Sequence, residues 1–258
     1  MHTRTPPLRS RRAALVSAMA VFSGAVLAVA GSHVGAGPAF AAPPEDASAD
    51  AARVSHLKGS ATRVRGDARV ALAVGLSVGV GDSVETGEKS RLELTLPDGS
   101  KLRLAPKSKA TLDAASFEGK RRERVSLKLG AGRIWSNVVR GTGGGDTFEV
   151  RTDNAVTGVR GTSFSILASA DASAIVRVYT GTVGVRPGAR APGERKPVAG
   201  PSQVSKARWE EIIAKAMEEV RISAAGEIAP ASGFEDEGES LAWAEWNRAR
   251  DGTRDAVH

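Results

Sequence analysis

The chain contains no cysteine. Disulfide staples, thiolate nucleophiles, zinc–thiolate sites, iron–sulfur clusters and a lipid-modified N-terminal cysteine are thereby excluded. Histidine is nearly as scarce. His2 and His33 lie near the N-terminus and His258 ends the chain, which leaves His56. One imidazole cannot build a histidine metal site, and it offers little for acid–base chemistry. Aromatic residues make up 4% of the 258 positions, too few for the stacking platforms that hold single-stranded nucleic acid. The sequence therefore implies no cofactor, no metal and no nucleic-acid partner.

What is present is 41% apolar residues, enough to fill a core, and 29 glycines to punctuate it. The length suits one domain with appendages. The formal charge of +7 is unevenly placed. Residues 1–41 carry Arg4, Arg9, Arg11 and Arg12 and no acid. An apolar stretch, Ala13 to Ala30, follows, and then Ala39-Phe40-Ala41 with the small-x-small pattern of a signal-peptide cleavage site. Residues 1–41 thus predict an export signal cleaved after Ala41. An uncleaved membrane anchor is the alternative, and only then would the protein meet a membrane. Ser10-Arg11-Arg12 resembles a twin-arginine signal, with Ala14 where phenylalanine is expected. Residues 42–198 hold a net +8, and residues 199–258 hold seven basic against twelve acidic side chains. For a periplasmic or secreted protein, a basic section points to anionic envelope glycans before nucleic acid.

After a disordered linker over 42–52, residues 53–187 read as short strands. Arg91-Leu92-Glu93-Leu94-Thr95-Leu96 alternates with period two, Asp98-Gly99 supplies a tight turn, and Lys101-Leu102-Arg103-Leu104 resumes the alternation. Val125, Leu127 and Leu129 line another run, and Phe164 with Ile166, Val176 with Val178 and Val183 with Val185 line later ones. Ten to twelve strands at this spacing predict a mainly β roll or sandwich with largely antiparallel pairing. Three segments, Leu57–Ala61, Leu129–Ile134 and Tyr179–Val183, share one plan in which a strand ends, a glycine turns the chain and a strand begins.

The order of several short motifs resembles the periplasmic FecR domain. They are Gly79-Val80-Gly81-Asp82-Ser83-Val84-Glu85-Thr86-Gly87, Leu96-Pro97-Asp98-Gly99-Ser100, Leu129-Gly130-Ala131-Gly132, Val150-Arg151-Thr152, Val159-Arg160-Gly161-Thr162-Ser163-Phe164 and Val178-Tyr179-Thr180-Gly181-Thr182-Val183. The family is known from regulators of ferric-siderophore uptake and from many other envelope proteins. The resemblance implies a β domain used for protein contact or glycan association. Regulators of that family carry a cytoplasmic helical segment that contacts a sigma factor. Only twelve residues precede the apolar stretch here, so that role is not carried over.

Physically, Gly81, Gly87, Asp98, Gly99, Gly132, Gly161 and Gly181 read as turn residues, and Asp82 and Thr86 as hydrogen-bonding partners of turn backbone. Thr162 and Phe164 read as fold residues. Arg160, flanked by apolar residues, is expected to pin two strands through carbonyls or a carboxylate such as Asp153 or Glu85, with direct ligand contact as the rarer outcome. Gly75-Leu76-Ser77-Val78-Gly79 matches the hydrolase nucleophile elbow, but a β-like run follows it and the only downstream histidine is His258. No catalytic residue is assigned. Trp135 is a candidate for stacking on a sugar ring, against packing beneath a C-terminal helix.

A proline-rich linker over 188–204 leads to an extension, residues 205–258, expected to be helical and acidic. Trp209, Ile212, Ile213, Ala216, Met217 and Val220 fall on one helical face, with Ser205 as N-cap, so a helix is predicted from about Lys206 to Val220. Glu235, Asp236, Glu237 and Glu239 read as a solvated acidic linker before a second helix at Ser240–Arg250, in which Trp243 and Trp246 stand one turn apart. Trp135, Trp209, Trp243 and Trp246 are the candidate interaction surface. The expectation is a non-enzymatic, exported FecR-like binding or assembly module, with signalling as one form of it. Its partner is another envelope protein or an anionic glycan such as peptidoglycan or lipopolysaccharide. A membrane-anchored sensor that regulates a sigma factor is the further alternative.

Overall fold

The computed structural model describes residues 48–141, 146–188 and 212–252. Among them, β1 (Ala52–Lys58), β2 (Ala61–Arg65), β3 (Ala68–Ala71), β4 (Ser77–Val78), β5 (Ser83–Thr86), β6 (Arg91–Thr95), β7 (Lys101–Leu104) and β8 (Lys109–Glu118) lead to β9 (Arg121–Asn137). Then come β10 (Thr147–Arg151), β11 (Ala155–Val159), β12 (Ser163–Ala168), β13 (Ala174–Thr180), β14 (Thr182–Pro187), β15 (Ile212–Lys215), β16 (Glu218–Ile222), β17 (Ser232–Gly233) and the helix α1 (Gly238–Gly252). The protein is mainly β with one C-terminal helix among the described residues, as its alternating sequence predicts.

Two layers share β9. The first runs β4-β1-β6-β7-β9-β12-β13-β16-β17, antiparallel throughout. The second runs β3-β2-β5-β8-β9-β10-β11-β14-β15, with β9 and β10 parallel. Residues 121–131 of β9 pair in the second sheet and residues 132–137 in the first. Inward-facing residues of both sheets, among them Leu92, Leu104, Leu127, Ile134, Phe148 and Phe164, form one buried cluster. Burial of such side chains contributes roughly 1.5–3 kcal/mol each.

The chain passes between the sheets at tight corners. All three strand–glycine–strand recurrences fall on such crossings: Gly59 between β1 and β2, Gly132 within β9, and Gly181 between β13 and β14. Their φ angles are 78°, 85° and 82°, in the region open to glycine. A hydroxyl residue packs against each: Ser90, Ser108 and Thr162. Ser108 Oγ also accepts the Arg133 N–H at 2.9 Å, which satisfies backbone that the crossing frees. Thr86 holds the same corner, donating to the Ala105 carbonyl at 2.6 Å and accepting the Ser108 N–H at 2.9 Å.

The helix predicted from Lys206 to Val220 is not what forms over its described part. Residues 212–222 make a hairpin, β15 and β16, with Met217 at a φ of 64° in the corner. β15 pairs with the free edge of β14 and β16 with that of β13. Covering two sheet edges satisfies two rows of backbone donors and acceptors, and this tertiary gain overrides helical spacing. The same residues also alternate: Ala214, Val220 and Ile222 are buried, whereas Ile213 and Met217 are exposed. Ser205 and Trp209 lie outside the described residues, as do residues 1–41, which the sequence reads as an export signal. Among the described residues no helix is long and apolar enough to cross a membrane.

A Cβ added at Gly132 would lie 2.6 Å from Ser108 Cα and 2.8 Å from the Lys107 carbonyl oxygen. Gly132→Ala is therefore expected to destabilise the fold by about 3 kcal/mol. Gly119→Ala, at a φ of 61° but with open space around it, should cost only about 1 kcal/mol. Urea unfolding of the two variants checks this, and equal losses would rule out close approach as the cause.

Candidate functional site: the outer face of the first sheet

Period-two alternation that sends leucines inward sends the residues between them outward. On the first sheet these outward residues are in register. His56 pairs with Glu93, Glu93 with Arg103, Arg103 with Trp135, Trp135 with Ser165, Ser165 with Arg177, and Arg177 with Glu219. A single polar and aromatic row thus crosses seven strands, and α1 packs on it through charge as well as apolar contact.

At the C-terminal end of α1, Arg103 is 1% exposed. Its Nε donates to Glu93 Oε2 at 2.7 Å and its Nη1 to Asp251 Oδ1 at 2.7 Å. Asp251 Oδ2 accepts the Trp135 indole N–H at 3.0 Å. Glu93 also accepts from Arg250 Nε at 3.1 Å and from Ser55 Oγ at 2.7 Å. Just before α1, Asp236 Oδ1 accepts from Arg177 Nη1 at 3.1 Å and from the Tyr179 hydroxyl at 3.0 Å. Charge-assisted bonds of this kind are about twice as strong as neutral ones when every partner is present. Trp243 and Ala244 are buried against Ala105, Trp135 and Tyr179. Trp243 and Trp246 stack at 5.4 Å, and the Arg91 guanidinium lies 4.8 Å from the Trp246 ring.

These contacts set the protonation states. Burial alone would raise the Glu93 carboxyl, but the hydrogen bonds from Arg250, Ser55 and Arg103 outweigh it and bring its pKa to about 2. Burial pushes the Tyr179 phenol up to about 12, with the Asp236 charge acting in the same direction. His56 is lowered, first by burial and then by the Arg250 charge.

Beside the N-terminal half of α1 a cleft of about 570 Å³ is lined by residues that include Lys89, Arg91, Lys107, Arg133, Glu239 and Trp243. A chamber of about 30 Å³, lined in part by Arg133, Tyr179, Ser240 and Trp243, shares Arg133, Leu167 and Trp243 with it. Burial lowers the Arg133 pKa.

The residues singled out from the sequence separate into different places. Gly81 and Gly99 turn the chain at φ values of 85° and 83°. An added Cβ at Gly87 would meet Ser60, and one at Gly161 would meet Arg140 at 2.8 Å. Thr162 is buried, its carbonyl accepting the Val138 N–H, and Phe164 is in the core. Asp98 caps its turn, accepting the Ser100 N–H at 2.9 Å, and also pairs with buried Arg122. Asp82 does more than hold a turn: fully buried, it accepts two bonds from Arg65, at 2.6 and 3.0 Å, besides the Gly79 N–H.

Arg160 does not pin strands onto Asp153 or Glu85. It is exposed, Asp153 pairs with Lys128, and Glu85 pairs with Arg69 and Lys109. Arginines that do tie segments of the sheets together include Arg103, Arg122 and Arg177. Trp135 is fully buried, which removes it from the candidate interaction surface; Trp243 is nearly buried but lines the cleft, and Trp246 is half-buried. The acidic linker is not simply solvated, since the Asp236 carboxylate is 3% exposed. Ser77 sits in β4, whose partner is β1, and its carbonyl accepts from Arg63 at 2.9 Å; a turn and β5 follow, not the helix of a nucleophile elbow.

Residues 82–184 match the family model described as FecR protein. Over these residues the chain is similar to the FecR family. The match begins after β4 and ends within β14. Two crystal structures of a candidate anti-sigma factor from Parabacteroides distasonis are similar to it, each 22% identical with a TM-score of 0.42. Each similarity covers 59% of this chain and 60% of the other, so the chain spans little more than half the length of those structures. No curated protein matches the chain.

Glu93 gives a signed prediction. Its folded-state pKa lies near 2 against an ordinary value of 4.5. The stability it adds is fully present above about pH 4.5 and is lost as the pH falls towards 2. Urea unfolding at pH 6 and pH 3 should show Glu93→Gln losing stability relative to the parent at pH 6, with the gap narrowing at pH 3. A constant gap would remove Glu93 as the titrating group.

Proposed function

We propose that this protein is an exported, non-enzymatic FecR-domain module of the cell envelope that works by binding another envelope protein. The observation that carries the reading is the FecR match across residues 82–184, in a family known from envelope regulators. The way α1 is held supports it: the outer face of the first sheet grips a polypeptide segment through charge and aromatic contact from Glu93, Arg103, Trp135 and Arg177. A β domain that holds one helix in this manner is suited to protein contact. The N-terminal arginines and the apolar stretch after them support export. Signalling is the role the family suggests for such contact.

A second reading, an anionic envelope glycan as ligand, is favoured by the basic cleft beside α1. The two readings separate experimentally. A photo-cross-linking residue is placed in the expressed protein at Leu241, Val80 or Ile213, which are exposed apolar positions. A discrete adduct with one exported protein, from at least one position, is the expected result. Adducts with glycan alone favour the second reading. Absence of both, or recovery of the protein in the cytoplasmic fraction, would overturn the proposal.

A further inference from the structure

We infer that the cleft beside α1 is a binding site for an acidic saccharide, with Arg133 as its anion-holding residue. The inference rests on the glycan reading and gives it an address. Four cations, Lys89, Arg91, Lys107 and Arg133, line the cleft against one carboxylate, Glu239. Its volume of about 570 Å³ falls within the 300–1,000 Å³ typical of small-molecule sites.

Two donors at this place lack acceptors. The Arg133 guanidinium makes no ion pair and no hydrogen bond among the described residues, although Arg133 is partly buried. The Trp243 indole N–H is buried and also without a partner. Both residues line the cleft and the small chamber next to it. Buried donors are nearly always satisfied, so an unpaired guanidinium and an unpaired indole at one site call for an oxygen-rich, negatively charged partner. Trp243, Leu167 and Ala242 add an apolar wall, which a bare inorganic ion would not use and a sugar ring would.

Backbone strain points the same way. Lys89 and Lys107 have φ values of 52° and 54°. They occupy corners between the sheets, where Gly59, Gly132 and Gly181 serve elsewhere. A side chain in the left-handed region is strained where glycine is not. Both of these strained lysines lie on the same cleft. Lys107 also pairs with Glu88, but both groups are well exposed, so the pair is weak and open to exchange.

The test is titration of the full chain, followed by tryptophan fluorescence and calorimetry. The probes are N-acetylmuramic acid, glucose 1-phosphate and digalacturonate, with N-acetylglucosamine as neutral reference and inorganic phosphate as bare anion. At least one acidic sugar is expected to bind tenfold or more tightly than either reference, and more weakly at high salt. Arg133→Met should weaken that binding at least tenfold and Lys107→Gln severalfold, while Lys128→Gln on the second sheet changes nothing. If Arg133→Met fails to fold, Lys89→Gln combined with Lys107→Gln carries the test. Equal binding of acidic and neutral sugars, or binding untouched by these substitutions, overturns the inference. Sedimentation with isolated peptidoglycan or lipopolysaccharide keeps the two claims apart. Retention by parent and Arg133→Met alike moves the glycan elsewhere on the protein, whereas no retention by either ends the glycan reading itself.

Discussion

A strand of 17 residues that serves two sheets must bend where it leaves one for the other, and β9 bends at Gly132. The crossing leaves no space for a Cβ, because Ser108 and the Lys107 carbonyl stand against it. Ser108 and Thr86 then take up hydrogen bonds from the backbone on either side. With that corner closed, Leu127 and Leu129 lie on one layer and Ile134 on the other, and the inner faces meet as one cluster. The position of Trp135 on the outer face follows from the same bend, and so does the place of Arg133 beside α1.

The inner and outer faces obey different chemistry. Inside, apolar area is removed from water. Outside, on the first sheet, carboxylates and guanidinium groups are removed from water, which is tolerable only with full pairing. Glu93 has Ser55, Arg103 and Arg250; Asp236 has Arg177, Tyr179 and Arg248. The helix contributes through Arg248, Arg250 and Asp251, and the segment before it through Asp236. Docking of α1 thus depends on a small set of charges in its last turns and in the segment just before it.

Much of the β domain was legible in the sequence because period-two alternation and glycine turns are local signals. Leu92 and Leu94 announce an inward face, and Asp98-Gly99 a turn, without reference to any other segment. The corner role of Gly59, Gly132 and Gly181 was visible as a recurring plan, although not as a passage between sheets. What could not be read is what depends on pairing. Glu93 and Arg103 each look like an ordinary outward charge, and only the register places them together beneath Asp251, 148 residues from Arg103. Residues 212–222 satisfy helical and strand periodicity alike, and the free edges of β13 and β14 decide between them. Arg160 misled because apolar neighbours suggested burial, while Arg122, among charged neighbours at Arg121 and Glu123, is the buried one.

The row from His56 to Glu219 has a consequence for misfolding. Side chains on a strand change face with every residue, so a one-residue slip in any of these six pairings would turn a polar or indole side chain into the apolar interior and an apolar one outward. An unpaired carboxylate or guanidinium there is far costlier than a misplaced methyl group. The outer row therefore proofreads the sheet. It penalises each wrong alignment locally, strand by strand, whether or not a ligand or partner is ever bound.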